Sequence, residues 1–215
     1  MNKNYRFKVK RKRPEEIYNS VNDYFKGDTL VNYAKSKSLM KIQEKITIRA
    51  LELLDLSEKE KLILDAGCGP GFASIYLKEM GYDVVALDII SEFLYFYDIK
   101  ELNPIVADMC LLPFKSNIFD AIISISALQW VYRDSKNEKM KIKLIHLARS
   151  IDYVLKPNSK AIFQFYPKDN VVMKVIGKIF TEITDLEGNF IIDNPNNAKK
   201  RRIFLLLKKK IINNQ

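Results

Sequence analysis

The sequence predicts an α/β fold in which a mostly parallel sheet of seven strands carries helices on both faces. From residue 61 onward, short apolar runs typical of strands alternate with longer segments of helical period, as in a parallel sheet. The first apolar run leads directly into a turn with three glycines, Gly67, Gly69 and Gly71, and a helical segment follows. A strand, a glycine turn and a helix in this order form the nucleotide-binding unit of a doubly wound sheet.

The first 56 residues precede this pattern and form a basic arm followed by helices. Pro14 opens a short helix, because proline is favoured in the first helical turn. A longer helix spans residues 38–55, with an apolar face at helical spacing and Ser38 as its N-cap. We expect segment 1–56 to fold over a ligand as a lid. The alternative is that it only packs against the sheet.

Residues 57–215 form the domain that contains the sheet. Its predicted strands span residues 61–66, 82–88, 104–108, 119–126, 160–166, 189–193 and 202–208. The predicted helices between them span residues 71–80, 91–100, 137–155 and 169–184. Ser91 is the expected cap of the second of these helices. Residues 156–158 end the third, because Pro157 interrupts the helical pattern.

Length and composition indicate a single globular domain overall. The chain has 215 residues, of which 47% are hydrophobic, and no uncharged apolar run reaches the ~18 residues of a membrane span. The basic N-terminus lacks the apolar stretch of a secretory signal. Two cysteines, Cys68 and Cys110, follow no metal-binding spacing. We therefore expect a cytoplasmic protein without a membrane span, a disulfide framework or a bound metal.

The net charge of +10 is concentrated at the two ends of the chain. Residues 1–13 and residues 199–215 each contain seven lysines and arginines and no acidic residue, whereas the middle of the chain is slightly acidic. Two basic ends on a nearly neutral body favour a polyanionic partner, and solvated tails are the alternative. The basic residues expected to contact this partner are Lys10, Arg11, Lys12, Arg13, Lys199, Lys200, Arg201 and Arg202.

The glycine turn and the acid before it follow the pattern D-x-G-x-G-x-G, from Asp65 to Gly71. A dinucleotide fingerprint would need its third glycine at the position of Phe72. The pattern instead resembles motif I of the class I S-adenosylmethionine (SAM) methyltransferases, which have a Rossmann-like fold. The resemblance implies SAM as the cofactor. Glycine in the turn lets a ligand approach the backbone closely. A turn that serves only chain reversal is the alternative.

The first three predicted strands each end in an aspartate, and ligands of such sheets bind beyond the carboxyl ends of the strands. Asp65 is expected near the ammonium group of the cofactor, Asp88 at the ribose hydroxyls, and Asp108 at the adenine amino group with Met109 beside the ring. The complete set of expected cofactor-binding residues is Tyr33, Asp65, Gly67, Gly69, Gly71, Asp88, Ile89, Asp108, Met109 and Ser126.

Aromatic and amide side chains follow the fourth and fifth strands, at the predicted mouth of the site. These are Gln129 and Trp130 after one strand, and Gln164 and Tyr166 in the other. A flat substrate such as a nucleobase stacks on aromatic rings and is recognised by amides. For Trp130 and Tyr166 the alternative is that they close the core, which is the expected role of Phe165. The only histidine, His146, is expected on the surface of a helix.

Four longer motifs resemble the small-subunit ribosomal RNA guanine-N7 methyltransferases of ribosome biogenesis, a family within the class I SAM methyltransferases. A fifth match is the Arg-Pro-Glu sequence at Arg13 to Glu15. The compact chain resembles an archaeal member, although Pro70 stands where the family usually has serine. The four motifs are IQEKITIRALELLDL (42–56), ISISALQW (123–130), FQFYP (163–167) and DNPNNAKK (193–200).

The resemblance implies transfer of the SAM methyl group to N7 of a guanine in ribosomal RNA. It implies a guanine pocket in which Trp130 and Tyr166 clamp the base and Gln129 or Gln164 contacts its edge. Because N7 has a free lone pair, no catalytic acid or base is expected, and catalysis rests on positioning and on the exclusion of water. The basic ends of the chain are expected to bind phosphates of the RNA.

The resemblance also implies a small zinc-binding activator protein as a partner. Segment 91–100 is apolar on more than one side, so a second surface is expected to cover it. Residues 104–107 would form a sheet edge that is open to strand addition. We therefore expect the activator to dock over this helix and edge strand.

Two other functions remain compatible with the sequence. A SAM methyltransferase that acts on a small molecule would have the same fold, because the fold does not determine the substrate. A non-catalytic factor that binds SAM and pre-ribosomal RNA would keep the same motif and the same basic ends.

Overall fold

The structure, a computed structural model, describes residues 7, 12–56, 61–96, 102 and 104–211. Its centre is a sheet of seven strands in the order β3-β2-β1-β4-β5-β7-β6. The strands are β1 (Leu62–Ala66), β2 (Asp83–Asp88), β3 (Ile105–Val106), β4 (Phe119–Ile125), β5 (Leu155–Phe165), β6 (Leu186–Asp193) and β7 (Arg202–Lys209).

Strand direction places the carboxyl ends of the central strands at one edge of the sheet. The pairs β1–β2, β2–β3, β1–β4 and β4–β5 are parallel, whereas β7 runs antiparallel to both β5 and β6. The strand order reverses between β1 and β4, which is the crevice where ligands of doubly wound sheets bind. The predicted mostly parallel sheet is confirmed.

Helices cover both faces of this sheet, as predicted. They are α1 (Pro14–Ile17), α2 (Val21–Tyr24), α3 (Gly27–Ala34), α4 (Lys37–Leu54), α5 (Phe72–Glu79), α6 (Leu128–Val131), α7 (Glu138–Val154) and α8 (Asn170–Glu182). A 3-10 helix, Ser91–Phe96, follows β2. Within the described residues, no helix combines the length and apolar character needed to cross a membrane.

Neighbouring residues of β1 face opposite sides of the sheet and belong to two different cores. Leu64 packs in one cluster with the buried residues of α7 and α8, whereas Ile63 packs in a second cluster with those of α4 and α5. This alternation follows from the two-residue period of a strand. His146 is exposed on α7 and Phe165 is buried, as expected for both.

The N-terminal segment divides into two parts with different roles. Helix α4 packs on the sheet through Ile46 and Ala50, which are fully buried. Helix α3 instead forms a third small cluster, in which Leu30 contacts Ile90 and Phe93 beside the carboxyl end of β2. The structure therefore shows α4 packed on the sheet and α3 packed beside the end of β2. That this segment acts as a lid over a ligand stays a prediction. The domain boundary at residue 57 stays a prediction.

Several local expectations about caps and element bounds were wrong. Helix α4 begins one residue early, so Ser36 caps it by accepting a hydrogen bond from the backbone N–H of Leu39 (3.3 Å), and Ser38 lies within the first turn. The segment after β2 is a 3-10 helix over the described residues, and its first residue, Ser91, donates to Glu92 rather than capping a helix. The last four predicted residues, 97–100, lie outside the described ones.

The fifth strand begins at Leu155, immediately after α7, rather than at residue 160. Leu155 pairs with Phe119, and the register then shifts so that Lys160 pairs with Ala121. The extra residues between them form a bulge that includes Asn158, which has φ +66°. The helix ends before Pro157, as predicted. The strand includes this proline, which lies in the bulge.

Candidate active site

The turn between β1 and α5 is held against the end of β2 by backbone hydrogen bonds. The N–H groups of Gly67 and Cys68 both donate to the carbonyl of Leu87, at 2.8 and 3.0 Å. The N–H of Gly69 donates to Oδ2 of Asp88 at 2.7 Å. This network fixes the turn relative to the acid at the end of the neighbouring strand.

Two of the three glycines are required for different reasons. Gly67 has φ +80°, and a Cβ there would lie 2.5 Å from the Cβ of Ala127, so glycine lets the loop after β4 approach closely. Gly69 has φ +53°, and a Cβ there would meet no atom within 4 Å, because the space beside it is a cavity. Gly71 has φ +87° and is the N-cap of α5, away from the described cavity walls.

Asp65 is a buried carboxyl group at the end of β1. It is 1% exposed, and its Oδ2 accepts a hydrogen bond from Ser74 Oγ at 2.5 Å. Burial raises the pKa of Asp65 to about 7, although the hydrogen bond from Ser74 acts in the opposite direction. A carboxylate in this position is costly in the free protein and is suited to a cationic ligand.

Asp88 is oriented by the backbone on both sides of its carboxylate. Oδ2 accepts from Gly69, and Oδ1 accepts from the N–H of Ile90 at 2.8 Å. Burial raises the pKa of Asp88, and the hydrogen bonds from the N–H groups of Ile90 and Gly69 lower it. At the end of β3, Asp108 Oδ1 similarly accepts from the N–H of Cys110 at 2.9 Å. Both carboxylates are therefore held in place before any ligand binds.

Two adjoining cavities bring the predicted cofactor residues together. The β1 cavity, of about 550 Å³, is lined by Tyr33, Asp65, Gly67, Gly69, Asp88 and Ser126 among others. The β3 cavity, of about 590 Å³, is lined by Gly67, Asp88, Ile89, Asp108 and Met109 among others. Both have Trp130 and Ala127 in their walls, so the two form one continuous binding region. Of the ten predicted residues, only Gly71 is absent from these walls.

The chemistry of the two cavities fits the parts of SAM. The β1 cavity offers the Asp65 carboxyl group to an ammonium group, and Asp88 lies where the two cavities meet. The β3 cavity combines the apolar side chains of Ile89 and Met109 with the acceptor Asp108, which suits an adenine ring with its amino group.

A third cavity, the mouth cavity, opens from the β1 cavity and measures about 930 Å³. The two share the side chains of Phe25, Tyr33, Gln43, Ser126 and Trp130. Trp130 and Tyr166 both lie in the wall of the mouth cavity and are partly exposed rather than closing the core. Their role in holding a base stays a prediction. Tyr24 stacks on the Trp130 ring at a centroid distance of 5.8 Å, and the Arg13 guanidinium lies 5.4 Å from the Tyr166 ring centre.

The two candidate glutamines have different positions. Gln164 is fully buried, its Oε1 accepts from Ser126 Oγ at 2.9 Å, and its side chain is not among the described walls of the mouth cavity. Gln129 lines that cavity and donates through Nε2 to the carbonyl of Ser126 at 2.7 Å. Its Oε1 is buried and has no hydrogen-bond partner among the described residues. Only Gln129 therefore remains placed to contact a substrate.

Several wall residues were not identified from the sequence. Glu15, Tyr24, Phe25 and Gln43 all line the mouth cavity. Gln43 lies on α4 and donates through Nε2 to Ser126 Oγ at 3.4 Å, which joins α4 to the loop after β4. The aromatic residues between Val21 and Ala34 were the available signal, because so many rings in one short segment need a surface to cover.

A basic cleft of about 760 Å³ adjoins the mouth cavity and shares Arg13 and Tyr166 with it. Lys199 and Arg201 line this cleft. The Arg13 guanidinium is engaged within the protein, since its Nη1 donates to the carbonyls of Tyr166 and Pro167 at 2.8 and 3.4 Å. The Arg201 side chain likewise donates to the carbonyl of Pro195.

The other predicted basic residues differ in how they are placed. Lys12, Lys199 and Lys200 are exposed, whereas Arg202 is half-buried at the start of β7. Lys10 and Arg11 lie outside the described residues. Among the residues that are described, no group of three or more histidines, cysteines or acids is arranged to hold a metal ion.

Comparisons with solved structures agree with this architecture. The magnesium protoporphyrin IX methyltransferase of Synechocystis PCC 6803, solved with bound SAM, superposes with a TM-score of 0.66 at 18% identity, covering 94% of this chain and all of that one (100%). A putative SAM-dependent methyltransferase of Methanococcus maripaludis gives the same TM-score, 0.66, at 14% identity and covers 87% and 94% of the two chains. These similarities establish the class I methyltransferase fold.

Sequence comparisons narrow the relationship further. A family model described as "Methyltransferase domain" matches residues 64–163. The 18S rRNA (guanine-N(7))-methyltransferase of Bos taurus is 34% identical, over 90% of this chain and 68% of its own length. The 18S rRNA (guanine(1575)-N(7))-methyltransferase of Saccharomyces cerevisiae is also 34% identical, over 85% and 67%. With this identity spread over nearly its whole length, the chain belongs to the family of the 18S rRNA guanine-N7 methyltransferases.

Proposed function

We infer that this protein transfers the methyl group of SAM to N7 of a guanine in small-subunit ribosomal RNA, as a step in ribosome biogenesis. The observation that supports this inference is that the β1 cavity and the mouth cavity adjoin each other. The β1 cavity suits the methionine part of SAM, and the mouth cavity beside it has aromatic walls that suit a base. A base in the mouth cavity would lie next to the methyl end of the cofactor. We expect this reaction to take place in the cytoplasm.

The residues that would hold SAM lie at the ends of three neighbouring strands. Asp65 would bind its ammonium group, Asp88 its ribose hydroxyls and Asp108 its adenine amino group. When bound, SAM supplies an electrophilic methyl group on a sulfonium sulfur. Because the hydrogen bonds to Asp88 and Asp108 already orient these carboxylates, little reorganisation is needed on binding.

The contribution of the protein to the chemistry is positioning rather than proton transfer. Guanine N7 bears a lone pair and no proton, so a general base has nothing to remove before attack. Trp130 and Tyr166 would hold the base from two sides, and Phe25 and Tyr33 from the lid would exclude water from the junction of the cavities. Burial raises the pKa of Tyr33 to about 12, so its hydroxyl stays protonated.

The basic cleft supplies a path for the RNA backbone towards the mouth cavity. Lys199 lies in its wall, and Lys200 next to it is exposed. Such side chains bind phosphates without reading the base sequence. Arg13 has a different role. Its hydrogen bonds to the carbonyls of Tyr166 and Pro167 join the N-terminal arm to the wall between the mouth cavity and the basic cleft.

A small zinc-binding activator would dock at the β3 edge of the sheet. Strand β3 is the terminal strand on this side, and Tyr95 and Val106 are 80% and 56% exposed there. Phe93 is covered by α3, so the outward side of the 3-10 helix is the part left for a partner. Loss of a co-purified activator in Val106→Asp would support this docking site. A monodisperse protein whose activity does not rise on addition of the activator would contradict it.

The function is tested by incubating the protein, co-expressed with a candidate activator, with small ribosomal subunits and SAM labelled in its methyl group. We expect labelled 7-methylguanosine in the small-subunit RNA, measured by nucleoside mass spectrometry. Label in another nucleoside, or in no RNA while SAM still binds, would contradict the proposed reaction.

Substitution of Gly69 by alanine should weaken SAM binding by about tenfold or more, because the added methyl group projects into the β1 cavity. Gly27→Ala is a matched control, since Gly27 has φ +52° and a Cβ there also meets no atom within 4 Å. Both variants should lose similar stability, whereas only Gly69→Ala should lose SAM affinity in calorimetry. Equal affinities for SAM would remove Gly69 from the cofactor site.

Asp65→Asn should stabilise the free protein at neutral pH and weaken SAM binding. The pKa of Asp65 is raised to about 7 in the folded state, from about 3.9 when unfolded. The folded protein therefore binds more protons between these values, and stability falls as pH rises through this window. Denaturation without SAM should show the variant gaining about 2–3 kcal/mol relative to wild type between pH 5 and pH 8. A difference in unfolding free energy between the variant and wild type that does not change with pH would contradict this prediction.

Replacement of Lys199 and Lys200 by glutamine should weaken RNA binding and flatten its dependence on salt, by about one unit of slope for each phosphate that is no longer bound. Lys208 and Lys210 provide the control. They are also exposed, and their end of β7 lies beside Lys160 in β5, away from the carboxyl end of β5 where the site lies. Titrations of RNA at several salt concentrations should show a smaller slope for the first pair only. The same change in both double variants would mean a non-specific charge effect.

A further inference from the structure

Glu15 is a buried carboxylate in the wall of the mouth cavity. It lies in α1, is 6% exposed, and forms no ion pair with any residue that the structure describes. Burial raises the pKa of Glu15, although its own backbone N–H and the charges of Arg13 and Arg133 act in the opposite direction. Burial of a carboxylate is costly unless a hydrogen-bond donor satisfies it, so its position in a cavity wall needs an explanation.

An unsatisfied acceptor lies in the wall of the same cavity, on Gln129. The carbonyl of Ser126 can only accept, so the amide nitrogen of Gln129 must face it and Oε1 must face away. This Oε1 is buried without a hydrogen-bond partner among the described residues. The mouth cavity therefore presents two side chains, Glu15 and Gln129, that offer acceptors for donors of a ligand.

The position of these acceptors matches the orientation that methyl transfer to N7 requires. The walls that the mouth cavity shares with the β1 cavity include Phe25, Tyr33 and Trp130, whereas Glu15 and Gln129 belong to its unshared walls. With N7 turned towards the shared walls, the opposite edge of guanine would face the unshared ones. That edge has the N1–H and the N2 amino group, which are donors.

We propose that Glu15 selects guanine, its carboxylate accepting hydrogen bonds from N1–H and the N2 amino group while Gln129 Oε1 accepts from the same amino group. This proposal rests on the proposed function and names a residue that determines its specificity. Adenine has an acceptor at N1 and no amino group at C2, so it would place a lone pair against the carboxylate. Rejection follows because the buried carboxylate would lose its hydrogen bonds.

A purely structural role for Glu15 would have different consequences. Glu15 and its neighbour Glu16 are both acidic residues in the first turn of α1, where a negative charge is favourable. Glu16 is exposed and its Oε2 accepts from the N–H of Arg13 at 3.1 Å. If helix stabilisation were the only role, Glu15 would affect stability and not the choice of base.

The test measures binding of mononucleotides to the full-length protein saturated with S-adenosylhomocysteine. Trp130 is the single tryptophan of the chain and lines the mouth cavity, so its fluorescence reports occupancy of this site. Wild type should bind GMP about tenfold or more tightly than AMP, because hydrogen bonds to a buried charge are strong. IMP keeps N1–H and lacks the amino group, so its affinity should be intermediate.

Glu15→Gln keeps the size of the side chain and removes one of the two carboxylate acceptors. We expect it to lose the preference for GMP over AMP, by about tenfold, while affinity for S-adenosylhomocysteine and the unfolding temperature stay unchanged or rise. Glu16→Gln removes the same charge from the adjacent residue of α1 and should keep the wild-type preference. Wild-type selectivity in Glu15→Gln, or equal affinities of the wild type for GMP and AMP, would overturn the proposal.

This measurement requires neither RNA nor methyl transfer, so its failure is distinct from failure of the proposed function. A wild type that selects GMP but labels no ribosomal RNA would contradict the proposed RNA substrate. It would not contradict the role of Glu15 in selectivity. The Glu15→Gln variant could instead label ribosomal RNA at the wild-type rate and select GMP as the wild type does. This result would contradict the role of Glu15 in selectivity and leave the proposed function standing.

Discussion

The site depends on the hydrogen bonds that hold the glycine turn after β1 to the end of β2. Gly67 and Cys68 donate to the Leu87 carbonyl, and Gly69 donates to Asp88, so the turn and the acid have one fixed geometry. Glycine at these positions allows the positive φ values and the approach of the loop after β4. The β1 cavity and the β3 cavity both border this arrangement. The mouth cavity is connected to it through Trp130, because the loop that contacts Gly67 begins the helix with this residue.

Two buried carboxyl groups lower the stability of the free protein at the proposed ligand sites. Asp65 and Glu15 are both buried carboxyl groups with raised pKa values, one beside the proposed ammonium site and one beside the proposed base site. In each case burial is the largest cause of the pKa shift. A carboxylate that is poorly solvated before binding interacts more strongly with a donor that replaces its lost water. The same burial therefore lowers the stability of the free protein and strengthens ligand recognition.

Aromatic packing couples the N-terminal segment to both binding regions. Phe25 contacts Trp130 at a centroid distance of 6.1 Å and Phe93 at 4.9 Å, so one ring of the lid touches the mouth cavity and the 3-10 helix after β2. Arg13 fixes the other end of the lid through the carbonyl of Tyr166. These contacts join one continuous N-terminal segment to both ends of the crevice, beside the proposed base site and the proposed cofactor site.

The sequence by itself determined the alternation of strands and helices, the glycine turn and the acids at three strand ends, because each depends on local backbone geometry and on periodic burial. It also allowed Trp130 and Tyr166 to be predicted at the mouth of the site, because they follow strands whose direction was predicted, and both line the mouth cavity. Only the tertiary structure decided that Gln164 is turned inward while Gln129 lines the cavity, that Arg13 bonds to the wall, and that Glu15 lies beside the base site. The direction and burial of a side chain depend on partners that are distant in the sequence, and no local pattern contains them.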